Sequence, residues 1–170
     1  MSDQQEQHVP TQAEAARAGE PPHRALLLDS DLFFSVKVTD TLKYAGYQTR
    51  TVRQIAAFTQ ALEDERPVLV LVNTAARGID WRAGIVVART AGIPVVAFGS
   101  HVDLATQEQA RQAGATRVIA NSKLASDLPG VVARALRRET ATNTSDAVAR
   151  DEATSERDLT RDSLAAPRRA

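Results

Sequence analysis

The chain contains no cysteine, and its charges cancel. None of its 170 residues is cysteine, and 21 basic side chains balance 21 acidic ones. The missing thiols exclude disulfide bonds and a cysteine nucleophile. A formal net charge of zero provides no overall field that would attract nucleic acid or an anionic membrane, so we expect neither as a partner.

Long apolar runs are missing as well. No stretch of the sequence approaches the roughly 20 consecutive apolar residues that cross a bilayer. The N-terminus is polar and shows no apolar segment of the kind found in secretory signals. We therefore expect a soluble, cytoplasmic protein.

Aromatic residues are few, and their positions locate the core. All of them lie between residues 24 and 138. The flanking segments 1–23 and 139–170 are small, polar and charged, so burial cannot offset the roughly 1–2 kcal/mol that ordering each residue costs. The sequence predicts one domain over residues 24–138, a disordered N-terminal tail and a disordered, charged C-terminal tail.

Five short apolar runs recur along this domain. Four are continuous, which is typical of strands that are covered on both faces. The run YQTRTV instead alternates between apolar and polar residues and is typical of an edge strand. The predicted strands are 25–29, 47–52, 68–73, 93–99 and 117–121.

Helical segments lie between the predicted strands and after the last one. Glycine or proline marks most of their ends. The last helix is predicted to start near Ser126, with Pro129 in its first turn. The predicted helices are 32–45, 53–65, 81–91, 104–113 and 126–138.

The strict alternation of strands and helices predicts an α/β fold. We expect a flavodoxin-like, doubly wound, five-stranded parallel sheet of order 2-1-3-4-5 with helices on both faces. In such a sheet, ligands bind in a crevice at the carboxyl ends of the first and third strands. The residues that follow the strands are therefore the candidate site: Asp29, Ser30, Asp31, Asn73, Gly99, Ser100, His101, Asn121 and Lys123.

Several phrases of the sequence carry a family resemblance. ALLLDSDLFFSVKVTDTLKYAGY, RPVLVLVNTAARGID, GIPVVAFGS and QAGATRVIAN, in this order, resemble the receiver domain of two-component response regulators. The resemblance covers essentially all of residues 24–138 and implies a CheY-like signalling domain of a bacterial phosphorelay. Its functional pocket would be degenerate, comprising Asp29, Ser30, Asn73, Gly99, Ser100 and Asn121.

The resemblance also implies which chemistry is lost. Asn73 falls where a receiver has its phospho-acceptor aspartate, and Asn121 falls where it has a lysine. Of the two acids that follow the first strand, Asp29 is kept and Ser30 replaces the other. Gly99 falls where a switch threonine or serine would end the fourth strand.

The chemistry of these side chains favours a non-catalytic module. Phosphoryl transfer to a carboxylate needs an anionic nucleophile, a Mg²⁺ ion held by several hard oxygens, and facing cations. Asn73 and Asn121 are neutral amides, and Asp29 alone is a weak Mg²⁺ ligand. We therefore predict a pseudo-receiver that is not an enzyme, needs no cofactor and acts by binding a protein partner.

Other interpretations of the crevice remain open. A divergent phosphorelay regulator would use Asp29, Asp31 or His101 as its acceptor, and a small enzyme or ligand-binding domain would use the crevice as its site. Asp29 and Asp31 together form a candidate cation pair. His101 is a general base, a pH-sensitive contact or an ordinary loop residue. Lys123 either reaches back over the crevice or points into solvent.

A partner surface is also predicted from the resemblance. Receivers use the face formed by the fourth helix, fifth strand and fifth helix, and the resemblance implies this face as the candidate surface for a homodimer. An arginine-bearing edge is compatible with such a contact. The residues expected on it are Gln107, Arg111, Arg117, Leu128 and Arg134.

Overall fold

Five strands and five helices alternate in the computed structural model, which describes residues 23–99 and 104–138. Residues 1–22, the predicted C-terminal tail, Ser100 and His101 lie outside these residues. His23, which the predicted N-terminal tail included, is instead the first residue of a strand. The elements are β1 (His23–Leu28), α1 (Leu32–Tyr44), β2 (Tyr47–Val52), α2 (Ile55–Glu65), β3 (Leu69–Asn73), α3 (Trp81–Thr90), β4 (Val95–Gly99), α4 (Leu104–Gln112), β5 (Arg117–Ala120) and α5 (121–138).

The strands form one parallel sheet of order β2-β1-β3-β4-β5. This is the predicted flavodoxin-like order, in which the chain reverses direction across the sheet between β1 and β3. Leu28 pairs with Val72, so the residues that follow them, Asp29 and Asn73, lie level with each other. The register therefore brings these two side chains together at the carboxyl edge of the sheet.

A hydrophobic layer covers each face of the sheet. Alternate residues of β1 point into different layers, Leu26 and Leu28 into one and Ala25 and Leu27 into the other. The first layer is closed by α2, α3 and α4, and the second by α1 and α5. Two-sided burial explains why the central strands are continuously apolar.

The two edge strands differ from the central ones. β2 alternates between more and less exposed residues, as its sequence pattern predicts. All four residues of β5 are only half-buried, so the prediction of full cover from its continuous apolar run was wrong. The reason is position: β5 pairs with β4 alone among the described strands.

Short polar side chains fix the starts of two helices. The Asp31 carboxylate accepts a hydrogen bond from the Phe34 amide at 3.1 Å and caps α1. The Asp80 carboxylate caps α3 in the same way, through the Ala83 amide at 3.0 Å. At the other end of α1 the backbone turns through Gly46, whose φ of 87° favours glycine.

The predicted start of α5 was wrong. The helix begins at residue 121, directly after β5, and not near Ser126. Pro129 therefore lies inside the helix, where it lacks the N–H that would bond to the carbonyl of Ala125. Starting early lets the helix place Leu124 in the core, fully buried, and this packing outweighs the proline signal.

None of the helices within residues 23–99 and 104–138 is both long enough and apolar enough to cross a membrane.

Close packing of α3 on β1 allows a prediction about the stability of a variant at Gly84. A β-carbon added at Gly84 would collide with Cδ2 of Leu28 and would lie 3.4 Å from Cδ1 of Ile55. Leu28 is fully buried, so its side chain cannot move aside without displacing other core residues. We expect Gly84→Ala to lower the free energy of unfolding by roughly 1–3 kcal/mol.

Urea denaturation of wild type and variant measures this change. The matched control is Val86→Ala on the same helix, where the side chain is 49% exposed. The control should stay within about 0.5 kcal/mol of wild type. An unchanged stability for Gly84→Ala would mean that the contact between α3 and β1 is looser than described.

Candidate functional site

A buried hydrogen bond joins the ends of β1 and β3. The side-chain amide of Asn73 donates from Nδ2 to Oδ1 of Asp29 at 2.8 Å. Asp29 has no exposed surface, and Asn73 is 5% exposed. The two residues meet because their strands are neighbours in the sheet and end at the same level.

Both ends of the Asn73 amide are in use. Its Oδ1 accepts a hydrogen bond from the Ala75 backbone N–H at 2.9 Å, which shapes the loop after β3. The same Oδ1 of Asp29 that bonds Asn73 also accepts from the Asp31 N–H at 2.9 Å. An ionised aspartate at position 73 would have no hydrogen to donate to Asp29, whereas asparagine can donate and accept at once.

Burial dominates the electrostatics of Asp29. Loss of hydration raises the pKa of its carboxyl group above the ordinary value, because the charged form is disfavoured away from water. Hydrogen bonds from the Asp31 N–H, the Asn73 amide and the Ser30 N–H lower the pKa, and the negative charge of Asp31 raises it. Oδ2 of Asp29 is buried and has no hydrogen-bond partner among the described residues.

Above this pair lies a polar crevice of about 510 Å³. Arg77, from the loop after β3, also lines the crevice, although the sequence did not predict it as a site residue. Its signal was weak, because a single arginine beside a glycine occurs in many loops. The lining residues are Ser30, Asp31, Asn73, Ala75, Ala76, Arg77 and Asn121.

Asn121 reaches the crevice but does not join the hydrogen bonds described above. It is the first residue of α5, and its Oδ1 is buried with no partner among residues 23–99 and 104–138. Gly99 ends β4 in the core, next to Ala120 of β5. Ser100 and His101, which follow Gly99, fall in the gap between the described ranges.

Lys123 is paired on its own helix. Its Nζ lies 3.3 Å from Oδ2 of Asp127, which also accepts a hydrogen bond from Nη2 of Arg134 at 2.7 Å. The Arg134 hydrogen bond, and after it the Lys123 one, lowers the pKa of Asp127. The interpretation in which Lys123 reaches back over the crevice is therefore not the one that the structure adopts.

The crevice offers few oxygen ligands for Mg²⁺, the ion that phosphorylatable receiver domains bind. Oδ1 of Asp29 is occupied by two hydrogen bonds, so this residue offers only Oδ2, and the Asp31 carboxylate caps α1. Within the described part of the chain, no group of three or more histidine, cysteine or acidic side chains is arranged to hold a metal. Mg²⁺ requires near-octahedral oxygen coordination, so these residues do not fit a tight site.

Comparison with known proteins identifies the fold through structure. No protein-family model matches the chain, and no curated protein matches its sequence. A CheY-like response regulator receiver domain protein from Methanospirillum hungatei superposes with a TM-score of 0.64 at 16% identity, covering 72% of this chain and 99% of that one. The chain has the receiver-domain fold.

Two further solved structures agree. The signal receiver domain of a protein described as a LuxO repressor, from Vibrio parahaemolyticus, has a TM-score of 0.63 at 17% identity and covers 73% of this chain and 97% of that one. NtrX from Brucella abortus has a TM-score of 0.65 at 24% identity. The match covers 72% of this chain but only 29% of the longer NtrX chain. The fold expected from the sequence resemblance is thereby confirmed.

The hydrogen bond between Asn73 and Asp29 predicts the effect of restoring an aspartate. Asn73→Asp removes the donor and places a second carboxylate beside buried Asp29. We expect a loss of roughly 1–3 kcal/mol at pH 8, the cost of leaving a buried polar group unpaired. Repulsion raises the pKa of one carboxyl in the folded state, so the loss shrinks at pH 5, where that group binds a proton. Millimolar Mg²⁺ should also reduce it.

The exchanged pair is the matched control for this variant. Asp29→Asn combined with Asn73→Asp restores one donor and one acceptor at the same place, so much of the lost stability should return. Denaturation of the four proteins at both pH values, with and without Mg²⁺, gives the coupling energy. If Asn73→Asp is as stable as wild type at pH 8 without metal, a cation such as Arg77 already faces position 73.

The raised pKa of Asp29 predicts a pH dependence in the wild-type protein. Between the ordinary value of 3.8 and the higher folded pKa, the folded state holds a proton that the unfolded state has lost. Stability from this group is therefore present at low pH and is lost as pH rises through the folded pKa. The Asp29→Asn variant lacks the titrating carboxyl group and therefore lacks this pH dependence. The free energy of unfolding of the variant, relative to that of wild type, should increase as pH rises from 3.8 to the folded pKa of Asp29.

Asp127→Asn provides a control of opposite sign. Because Arg134 lowers the pKa of Asp127, the stability from this group is present above 3.8 and is lost as pH falls through the lower folded pKa. Urea denaturation at pH values from 3 to 8 follows both variants. Parallel curves for Asp29→Asn and wild type would show that Asp29 titrates as an ordinary carboxyl group.

Proposed function

We propose that this chain is a pseudo-receiver, a signalling module that binds a protein partner and does not accept a phosphoryl group at position 73. The observation that carries the proposal is the buried hydrogen bond from Asn73 to Asp29. A side chain that is neutral, buried and bonded at both ends cannot serve as the nucleophile of an acyl-phosphate reaction. Asn73 instead connects the ends of β1 and β3.

The remaining chemistry of the crevice supports the same proposal. Asn121 brings no charge, and Lys123 pairs with Asp127 on α5. Asp29 has a raised pKa, and the nearby Asp31 carboxylate is engaged in capping α1. We propose that the crevice binds Mg²⁺ weakly at most and that no cofactor is required. By analogy with the response regulator receiver domains among the solved structures of the same fold, we also propose a role in bacterial, cytoplasmic signalling.

A cluster of arginines on the α4–β5–α5 face is the partner surface we favour. Arg111, Arg117 and Arg138 line a cavity of about 400 Å³ together with Ala115, Thr116 and Val118. Nε of Arg117 is buried and has no hydrogen-bond partner among the described residues. Guanidinium groups bind carboxylates through paired hydrogen bonds, so we propose a partner that presents acidic side chains here.

Two of the residues predicted on this face, Leu128 and Arg134, are buried or already paired. Leu128 is 2% exposed and packs in the core, so its prediction as a surface residue was wrong. The cause is the early start of α5, which turns Leu124 and Leu128 toward the sheet together. Arg134 bonds to Asp127 on its own helix and is therefore not wholly available to a partner.

Two measurements test the proposed function. Wild type and Asn73→Asp are incubated with acetyl phosphate and Mg²⁺, and their intact masses are recorded. We expect no phosphoryl adduct on wild type. An adduct on wild type, mapped to Asp31 or another side chain, would support a divergent phosphorelay regulator and refute the pseudo-receiver.

Partner capture is the second measurement. Proteins retained by the wild-type chain are compared with those retained by Arg111→Glu and by Arg53→Glu, an exposed control next to the opposite edge strand. We expect Arg111→Glu to lose a partner that Arg53→Glu keeps, and the phosphodonor to have no effect on capture. A partner bound only after phosphodonor treatment would contradict the proposal.

A further inference from the structure

The outer face of α1 exposes an unusual amount of apolar surface. Of the seven large apolar side chains that are exposed in the described residues, four lie on this one helix. Phe33 is 92% exposed and Tyr44 is 94% exposed, near opposite ends of α1. Leu32, Phe33 and Val36 are neighbours on the helix surface, and clustered exposed apolar side chains of this kind mark interaction surfaces in soluble proteins. The four residues are Leu32, Phe33, Val36 and Tyr44.

Four of the exposed residues of α1 form a helical seam. Phe33, Lys37, Asp40 and Tyr44 are separated by four, three and four residues, so they form one line along the helix. All four are exposed, while Val38 and Leu42 on the opposite side pack into the core. This spacing is the one by which two helices pack along a common seam. The seam is therefore available to another helix.

The seam is complementary to itself. Phe33 and Tyr44 lie at equal distances from the midpoint of residues 38 and 39, and Lys37 and Asp40 do so as well. Two antiparallel copies related by a two-fold axis at this midpoint would place Phe33 against Tyr44 and Lys37 against Asp40. Neither Lys37 nor Asp40 forms an ion pair with another described residue. Both charges therefore remain for a partner.

We propose that the chain self-associates through α1, as an antiparallel two-fold dimer. Aromatic pairs close the two ends of the seam, and two symmetry-related ion pairs occupy its centre. The central charges set the antiparallel register, because a parallel arrangement would place like charges together. A second copy satisfies both the apolar and the charged positions of the seam at once.

The size of the seam indicates a weak dimer. A helix of 13 residues is about 20 Å long, and one pair of such helices buries less than the roughly 1,600 Å² of a standard interface. We expect association that depends on protein concentration. This dimer does not involve the α4–β5–α5 face, so its test is independent of the proposed function. The sequence-based expectation of a homodimer on that other face becomes an outcome of the same test.

Sedimentation equilibrium of the full chain over a concentration series tests the proposal. Lys37→Asp and Asp40→Lys should each weaken dimerisation by about tenfold, since the symmetry axis counts every change twice. The double variant Lys37→Asp/Asp40→Lys restores opposite charges across the interface and should recover association. Phe33→Ser and Tyr44→Ser should weaken it as well.

Controls separate the seam from other surfaces. Val86→Ser changes an exposed apolar residue on α3 and should leave the dimer intact. Circular dichroism of each variant verifies that the fold is retained. A protein that stays monomeric at all concentrations overturns the proposal. A dimer that is insensitive to the α1 variants and is weakened by Arg111→Glu overturns it in favour of the α4–β5–α5 face.

Crosslinking reports the register directly, because the chain contains no cysteine of its own. Lys37→Cys and Asp40→Cys are prepared separately, mixed and treated with a short bismaleimide. The antiparallel dimer predicts crosslinks between one variant and the other in preference to either variant with itself. Predominant self-crosslinking of Lys37→Cys would indicate parallel helices and would contradict the arrangement.

Discussion

The hydrogen bond between Asn73 and Asp29 is the constraint on which the crevice depends. It joins the two central strands at the point where the chain reverses direction across the sheet, and there loops must diverge to opposite faces. Each partner also holds its own loop, Asn73 through the Ala75 N–H and Asp29 through the Asp31 N–H. The side-chain amide of Asn73 thus holds the two strand ends and their loops in place. Without it, an acidic cluster with a bound ion would have to do so.

Local patterns determine most of this fold, which is why the sequence predicted it. Continuous apolar runs placed the central strands, and the alternation of YQTRTV placed β2 at an edge. The errors arose where tertiary packing competes with a local signal. Pro129 suggested the start of a helix, but burial of Leu124 and Leu128 draws α5 back to residue 121. The continuous apolar run of β5 likewise suggested cover on both faces, although the predicted strand order already placed β5 at an edge of the sheet, where its residues are only half-buried.

The site was predictable to the level of strand ends and no further. Parallel strands that end together must bring Asp29 and Asn73 close, and the sheet order alone implies this. Which atoms bond depends on loop geometry that a single sequence does not encode, so the unpartnered Oδ2 of Asp29 and the lining position of Arg77 emerged only with the structure. The seam on α1 is not predictable from the sequence for a similar reason, because aromatic residues such as Phe33 and Tyr44 usually pack in the core.

The proline inside α5 has a mechanical consequence. It removes one backbone hydrogen bond from the helix that runs from the crevice, at Asn121, to the arginine-lined cavity, at Arg138. Asp127 bonds Lys123 on the crevice side of Pro129 and Arg134 on the far side. The Asp127 carboxylate therefore connects the helical segments on either side of the missing backbone hydrogen bond. Because ions in solution screen partly exposed pairs of this kind, added salt should weaken the Asp127 contacts more than the buried hydrogen bonds of the sheet.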